Sequence, residues 1–193
     1  MPDTLSQSLQ TWQSFYLLMG GASATLVGLM FVAIWLGSGL FTEQSVVGLR
    51  TFMSPTLMHF VYVLITSAVV VIPTVTGTFL SILLLLTGLV SLGICLSGVP
   101  YMHRQYRKQQ ADITDWVWYF LVPSASYLLY VASGIALLLG TSQALNALAG
   151  ASVLLLIVGI RNAWDLVVWF VLRKRDAPEP SHPREPGPAG PTG

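Results

Sequence analysis

The run SILLLLTGLVSLGICL, from Ser81 to Leu96, contains no charged residue and no polar side chain larger than threonine. In water such a run needs protein packed on every side, whereas in lipid it needs none. It is one of five such runs in the chain. Hydrophobic residues make up 54% of the 193 residues and charged residues 9%, with a mean hydropathy of +0.70. A soluble globular chain carries about 25% charged residues. This chain therefore has too little charge to clothe a water-facing surface, which excludes a soluble enzyme and a disordered chain alike.

The five apolar stretches approach or exceed the roughly 20 residues that cross a bilayer. They are Phe15–Leu36, Phe52–Ile72, Phe79–Leu96, Trp116–Leu139 and a fifth between Ala144 and Leu172. Each must be helical, because a lone strand in lipid leaves its backbone unpaired. A barrel requires alternating polarity, which these runs lack. The expected fold class is all-α, a polytopic transmembrane helix bundle over residues 1–175. The tail 176–193, DAPEPSHPREPGPAGPTG, is rich in proline and almost free of apolar residues, so it is expected to be disordered. The N-terminal MPDTLSQSLQT has no Lys or Arg to make a signal-peptide n-region, and the first span is expected to be retained.

Punctuation supports the division. Pro73 with Gly77 marks a tight turn between spans two and three, and Gly140, Thr141 and Ser142 open the turn after span four. Pro100 follows span three, where it cannot continue a helix. Pro55 is read as lying in the first turn of span two, and Pro123 as a kink within span four.

Orientation follows from the basic residues. Residues 1–14, 73–78 and 140–143 contain no Lys or Arg. Arg50, Arg104, Arg107, Lys108, Arg173, Lys174, Arg175 and Arg184 fall in the opposite connections or the tail. The positive-inside rule then gives the N-terminus outside and the C-terminus inside. Trp116, Trp118 and Tyr119 belong to the inner aromatic belt and Trp12 to the outer one. The loop PYMHRQYRKQQADITD reads as an orienting loop in which Asp112 or Asp115 serves the start of span four.

Span one carries Gly20, Ala24 and Gly28 at intervals of four, widened by Gly21 and Thr25. This spacing stacks them on one face and lets another helix approach closely. The partner is either another span or a second subunit. The segment WQSFYLLMGGASATLVGLMFVAIWL resembles the opening of a group of small, uncharacterised bacterial integral membrane proteins. They share an aromatic start, a Gly/Ala-rich run and a G-L-x-F-V-A motif, which here is Gly28, Leu29, Met30, Phe31, Val32 and Ala33. GIRNAWDLV, from Gly159 to Val167, is similar to the last span of that group. The resemblance implies the bacterial cytoplasmic membrane as the location.

The last span holds Arg161, Asn162 and Asp165 on one helix face. A charge at mid-bilayer costs about 2.5–3.5 kcal/mol, so a lipid-facing position is disfavoured. Two registers compete. In the shallow one, Ala144–Ala163, Arg161 snorkels to the inner headgroups. In the deep one, Gly150–Leu172, Arg161 is about 16 Å from the inner end, and the all-round apolar Val167–Leu172 favours it. The deep register puts Asp165 about 10 Å from that end, and His59 at about the same depth in span two. A buried cluster of Arg161, Asp165 and His59, with Asn162 beside it, is therefore expected. It serves either as structural cement or as a proton or ion relay. Ser126, Tyr130 and Ser133 share one face of span four and can bond to their own helix. Cys95 reads as a small core hydrophobe.

No H-E-x-x-H, P-loop or dinucleotide-binding pattern is present. His59 is the sole histidine inside a span, which excludes a bis-histidine haem site. No cofactor, metal site or catalytic residue is expected, and the net charge of +1 gives no case for nucleic acid. Two functions fit. One is a non-enzymatic accessory or interaction protein whose small-residue face packs against a second copy or a membrane-protein partner. The other is a small channel or transporter whose path passes Arg161, Asp165 and His59.

Overall fold

The structure, a computed structural model, describes residues 2–37, 43–98, 113–141 and 143–175. Among them every regular element is helical. Helix α1 is Pro2–Gly37, α2 is Glu43–Val71 and α3 is Gly77–Ser97. Helix α4 runs in three stretches: Ile113–Trp116, a π-helical turn Val117–Leu121 and Val122–Leu138. Helix α5 is Ala144–Arg175. Four segments are long and apolar enough to cross a membrane: Gln7–Leu36, Gly77–Ser97, Val117–Leu138 and Ala144–Val168. In α2 the described apolar stretch is Pro55–Val71, which is shorter. The tail and the loop 99–112 lie outside the described residues, as does Ser142.

The helices pair as α1 with α2 and α3 with α4, and α5 lies between the pairs, packing on α4, α2 and α1. Helices α2 and α3 barely touch, although a short turn joins them. In that turn Val75 N–H donates to the Ile72 carbonyl at 3.2 Å. Thr76 then caps α3, its hydroxyl accepting from Phe79 N–H at 3.3 Å; this satisfies one of the orphan donors of the first turn. Gly140 closes α4 with φ +69°, a left-handed conformation that glycine adopts without strain. Thr141 N–H reaches back to the Ala136 carbonyl at 2.9 Å.

Outside and inside are inverted relative to a water-soluble protein. Leu18, Phe31, Trp35, Leu86, Ile94 and Trp164 are more than half exposed, whereas Ser23, Thr56, His59, Thr66, Ser152 and Asn162 are buried. Lipid favours this arrangement, since polar groups then find partners between helices and apolar ones face hydrocarbon.

Glycine sets the closest approach. A Cβ at Gly88 would lie 2.7 Å from Val131 Cγ2 and 3.0 Å from the Tyr127 carbonyl oxygen. One at Gly134 would lie 2.9 Å from Leu85 Cγ and 3.1 Å from the Ser81 carbonyl oxygen. Helices α3 and α4 therefore meet backbone to backbone at two levels. Gly134→Val is expected to destabilise the chain by about 2–3 kcal/mol, because overpacking here pushes on main chain. Thermal unfolding in mild detergent checks this, with Gly93→Val as control, since no atom lies within 4 Å of a Cβ at Gly93.

One proline reading changes, and a second gains a local setting. Pro55 does not sit in the first turn of its helix, because α2 begins at Glu43 and Pro55 lies within it. Apolarity marks where a helix enters lipid, whereas the helix itself starts earlier. Pro123 follows the π-helical turn, where Val122 N–H bonds to the Val117 carbonyl. Proline has no N–H and its ring crowds the carbonyl four residues back. A π turn just before it is one way a helix accommodates that loss.

Candidate functional site

Helix α5 is one continuous helix from Ala144 to Arg175, so it covers both registers considered for the fifth span. Its candidate membrane segment ends at Val168, which puts Arg161 about 10 Å from that end, between the two expected depths. Arg161 Nη1 bonds to Asp165 Oδ1 across one turn. The two side chains are 36% and 34% exposed, neither sealed in the bundle nor wholly in lipid. The other carboxylate oxygen of Asp165 accepts a long hydrogen bond, 3.5 Å, from Tyr119 Oη. Tyr119 belongs to the π-helical turn of α4, so this turn brings a hydroxyl to the ion pair.

Asn162 is buried, and its Oδ1 has no hydrogen-bond partner in the protein. His59 is likewise buried, and its Nδ1 has none. The structure does not bring His59 to the Arg161–Asp165 pair. Its ring stacks at a tilt on Tyr127 of α4, centroids 6.0 Å apart, and Tyr62 meets the same Tyr127 edge-on at 6.2 Å. The register of α2 against α5 explains this. A Cβ at Gly159 would fall 2.4 Å from Phe60 Cε1, so the Phe60 ring occupies the place of a missing side chain. Gly159 is six residues before Asp165 on α5, about 9 Å along the helix. Counting rise from the apparent ends of two spans takes no account of this offset.

From His59 toward the Leu145 end of α5 the interior continues polar. Tyr130 is fully buried, and its hydroxyl lies beside those of Thr66 and Ser152. Ser152 Oγ itself donates to the Leu148 carbonyl at 2.9 Å. Tyr16 of α1 neighbours Tyr130 and donates to the Leu145 carbonyl at 3.3 Å. Ser126 and Ser133 donate to Val122 and Leu129 of their own helix, as serines on such a face commonly do. Cys95 Sγ lies 3.3 Å from Ser124 Oγ in the α3–α4 contact.

The small-residue stripe of α1 divides. A Cβ at Gly20 would lie 3.1 Å from Ser67 Cβ of α2, whereas Gly21 and Gly28 have open space around theirs. Ala24 and Thr25 are exposed. On a straight helix, positions four apart drift by about 40° per step, so Gly20 sits at the edge of the buried face and Gly28 well off it. The face that packs is Tyr16, Ser23 and Met30, all buried, seven apart and thus nearly in line. Ser23 Oγ donates to the Phe60 carbonyl at 2.5 Å, tying α1 to α2 beside the Phe60–Gly159 contact. That heptad spacing of Tyr16, Ser23 and Met30 was the available signal for this side.

Among the described residues no group of three or more His, Cys, Asp or Glu side chains is placed to hold a metal ion. Compared with protein-family models, curated proteins and solved structures, the chain matches none of them.

Proposed function

We propose that the chain is a five-span protein of the bacterial cytoplasmic membrane, N-terminus out and C-terminus in, that acts by binding rather than by catalysis. The contact surface is the open face of α1 formed by Gly21, Ala24, Thr25 and Gly28. The observation that carries this reading is the free space over Gly21 and Gly28 on the least buried of the four candidate spans. A helix of a second copy, or of another membrane protein, can approach such a face closely and gain dispersion contacts that lipid tails fill poorly. Positive-inside counting supports the orientation.

Labelling tests it. Ala24→Cys in a Cys95→Ala background, treated in native membranes with a short maleimide–diazirine reagent, is expected to give a cross-linked adduct. Leu86→Cys, which is 61% exposed on α3, is the control. Adducts at position 24 no more abundant than at position 86 sink the reading.

A second reading is favoured by a specific observation. Buried polar groups without protein partners line the α2, α4 and α5 interior, which suits a small channel or transporter.

A further inference from the structure

We infer that the chain carries protons across the membrane, along a file of buried polar side chains that runs from Tyr16 past His59 to Asp165. This goes beyond the interaction reading and deepens the second reading by naming the species and the path.

The first argument is extent. Tyr16 bonds to Leu145 and Tyr119 to Asp165, so the file begins and ends twenty residues apart on α5. That separation is about 30 Å, the thickness of the hydrocarbon core.

The second is chemistry. His59 Nδ1 and Asn162 Oδ1 are more than nine-tenths buried and have no hydrogen-bond partner, and the fully buried Tyr130 Oη has only the hydroxyls of Thr66 and Ser152 beside it. A buried polar group in lipid costs free energy until it finds one, and a water molecule between such groups would supply it. Hydroxyl, imidazole and carboxylate groups all take up a proton on one side and release one on the other. At each step one O–H or N–H bond breaks as the next forms, through the side chains and the bridging water. One proton enters and one leaves, with nothing oxidised or reduced.

The third is selectivity. The ring against His59 is Tyr127 of α4, which Tyr62 of α2 meets edge-on, with Cys95 of α3 beside Tyr127. On α5 the nearest carboxylate is Asp165, about 9 Å inward. Ser23 of α1 spends its proton on the Phe60 carbonyl. Among the described residues no ion pair or hydrogen bond joins a charged side chain to the imidazole. Three aromatic rings with centroids 6.0 and 6.2 Å apart are in contact, too close for a hydrated cation to pass. A dehydrated metal cation needs several oxygen ligands, whereas a proton needs only neighbouring donors and acceptors.

The full-length protein in phosphatidylethanolamine/phosphatidylglycerol vesicles loaded with pyranine tests this. With an outward potassium gradient and valinomycin, wild-type vesicles are expected to acidify at least tenfold faster than empty ones. His59→Phe is expected to fall to the empty-vesicle rate. Tyr130→Phe keeps the ring and removes one oxygen, and it is expected to slow flux severalfold with an unchanged size-exclusion profile. Ile94→Val, on the exposed side of α3, is expected to match wild type. Flux retained in both His59→Phe and Tyr130→Phe overturns the path. Flux seen with a protonophore in place of valinomycin, and not with valinomycin, means potassium is the species carried; this overturns the inference and leaves the second reading standing. No flux under either condition overturns both and leaves the α1 cross-linking result unaffected.

Discussion

Gly159→Ala is expected to cost the chain about 3 kcal/mol, the upper end of what overpacking does, and Gly159→Leu more. The new Cβ would lie 2.4 Å from Phe60 Cε1, 2.8 Å from Cζ and 3.0 Å from Cδ1. A flexible side chain would swing away, but Phe60 is fully buried and its carbonyl is held by Ser23. Its sequence neighbour His59 rests on Tyr127, so rotation of α2 disturbs a second contact. Relief must come from parting α2 and α5, which loosens the centre of the bundle. Phe60→Leu removes the far end of the ring. Combined with Gly159→Ala it is expected to be less damaging than the two single costs added, by about 1 kcal/mol or more. Thermal midpoints in mild detergent for the four proteins check this. A Gly159→Ala midpoint equal to wild type would show that the Phe60–Gly159 contact does not fix the register.

The runs of apolar residues located the helices because lipid is a uniform demand on every outward side chain. They could not locate the helix ends. Residues 2–14 continue α1 and residues 43–51 precede the apolar part of α2, since a helix does not stop where the solvent changes. Thr76 as a cap was legible in principle, a threonine just ahead of an apolar run, and was passed over for the adjacent Pro73 and Gly77. The glycines that set the packing were not legible. Gly88, Gly134 and Gly159 meet neighbouring helices closely, whereas Gly93 and Gly150 meet nothing within 4 Å, and no local pattern separates the two groups. The Arg161–Asp165 pair was readable because both partners lie on one helix, where spacing alone decides contact. The place of His59 depends on how two helices slide past each other, and that offset is set by one ring over one glycine.

The same one-helix logic makes the ion pair separable by mutation. Asp165→Ala takes from Arg161 the carboxylate that neutralises it within the candidate membrane segment. A charge at mid-bilayer costs about 2.5–3.5 kcal/mol on insertion scales. Here both side chains are about a third exposed and Arg161 can snorkel inward, so a loss of about 1–2 kcal/mol is expected. Replacing both partners, Arg161→Met with Asp165→Leu, removes the charge along with its need for a counter-charge, and is expected to be as stable as wild type or more so. Tyr119→Phe gives up only a 3.5 Å hydrogen bond and is expected to change stability by about 0.5 kcal/mol. Midpoints in detergent rank the three variants. A double variant less stable than Asp165→Ala would mean that the pair itself cements α5 to α4. A double variant that folds as well as wild type, yet passes protons into vesicles at a tenth of its rate or less, assigns the two charges to the inner mouth of the path.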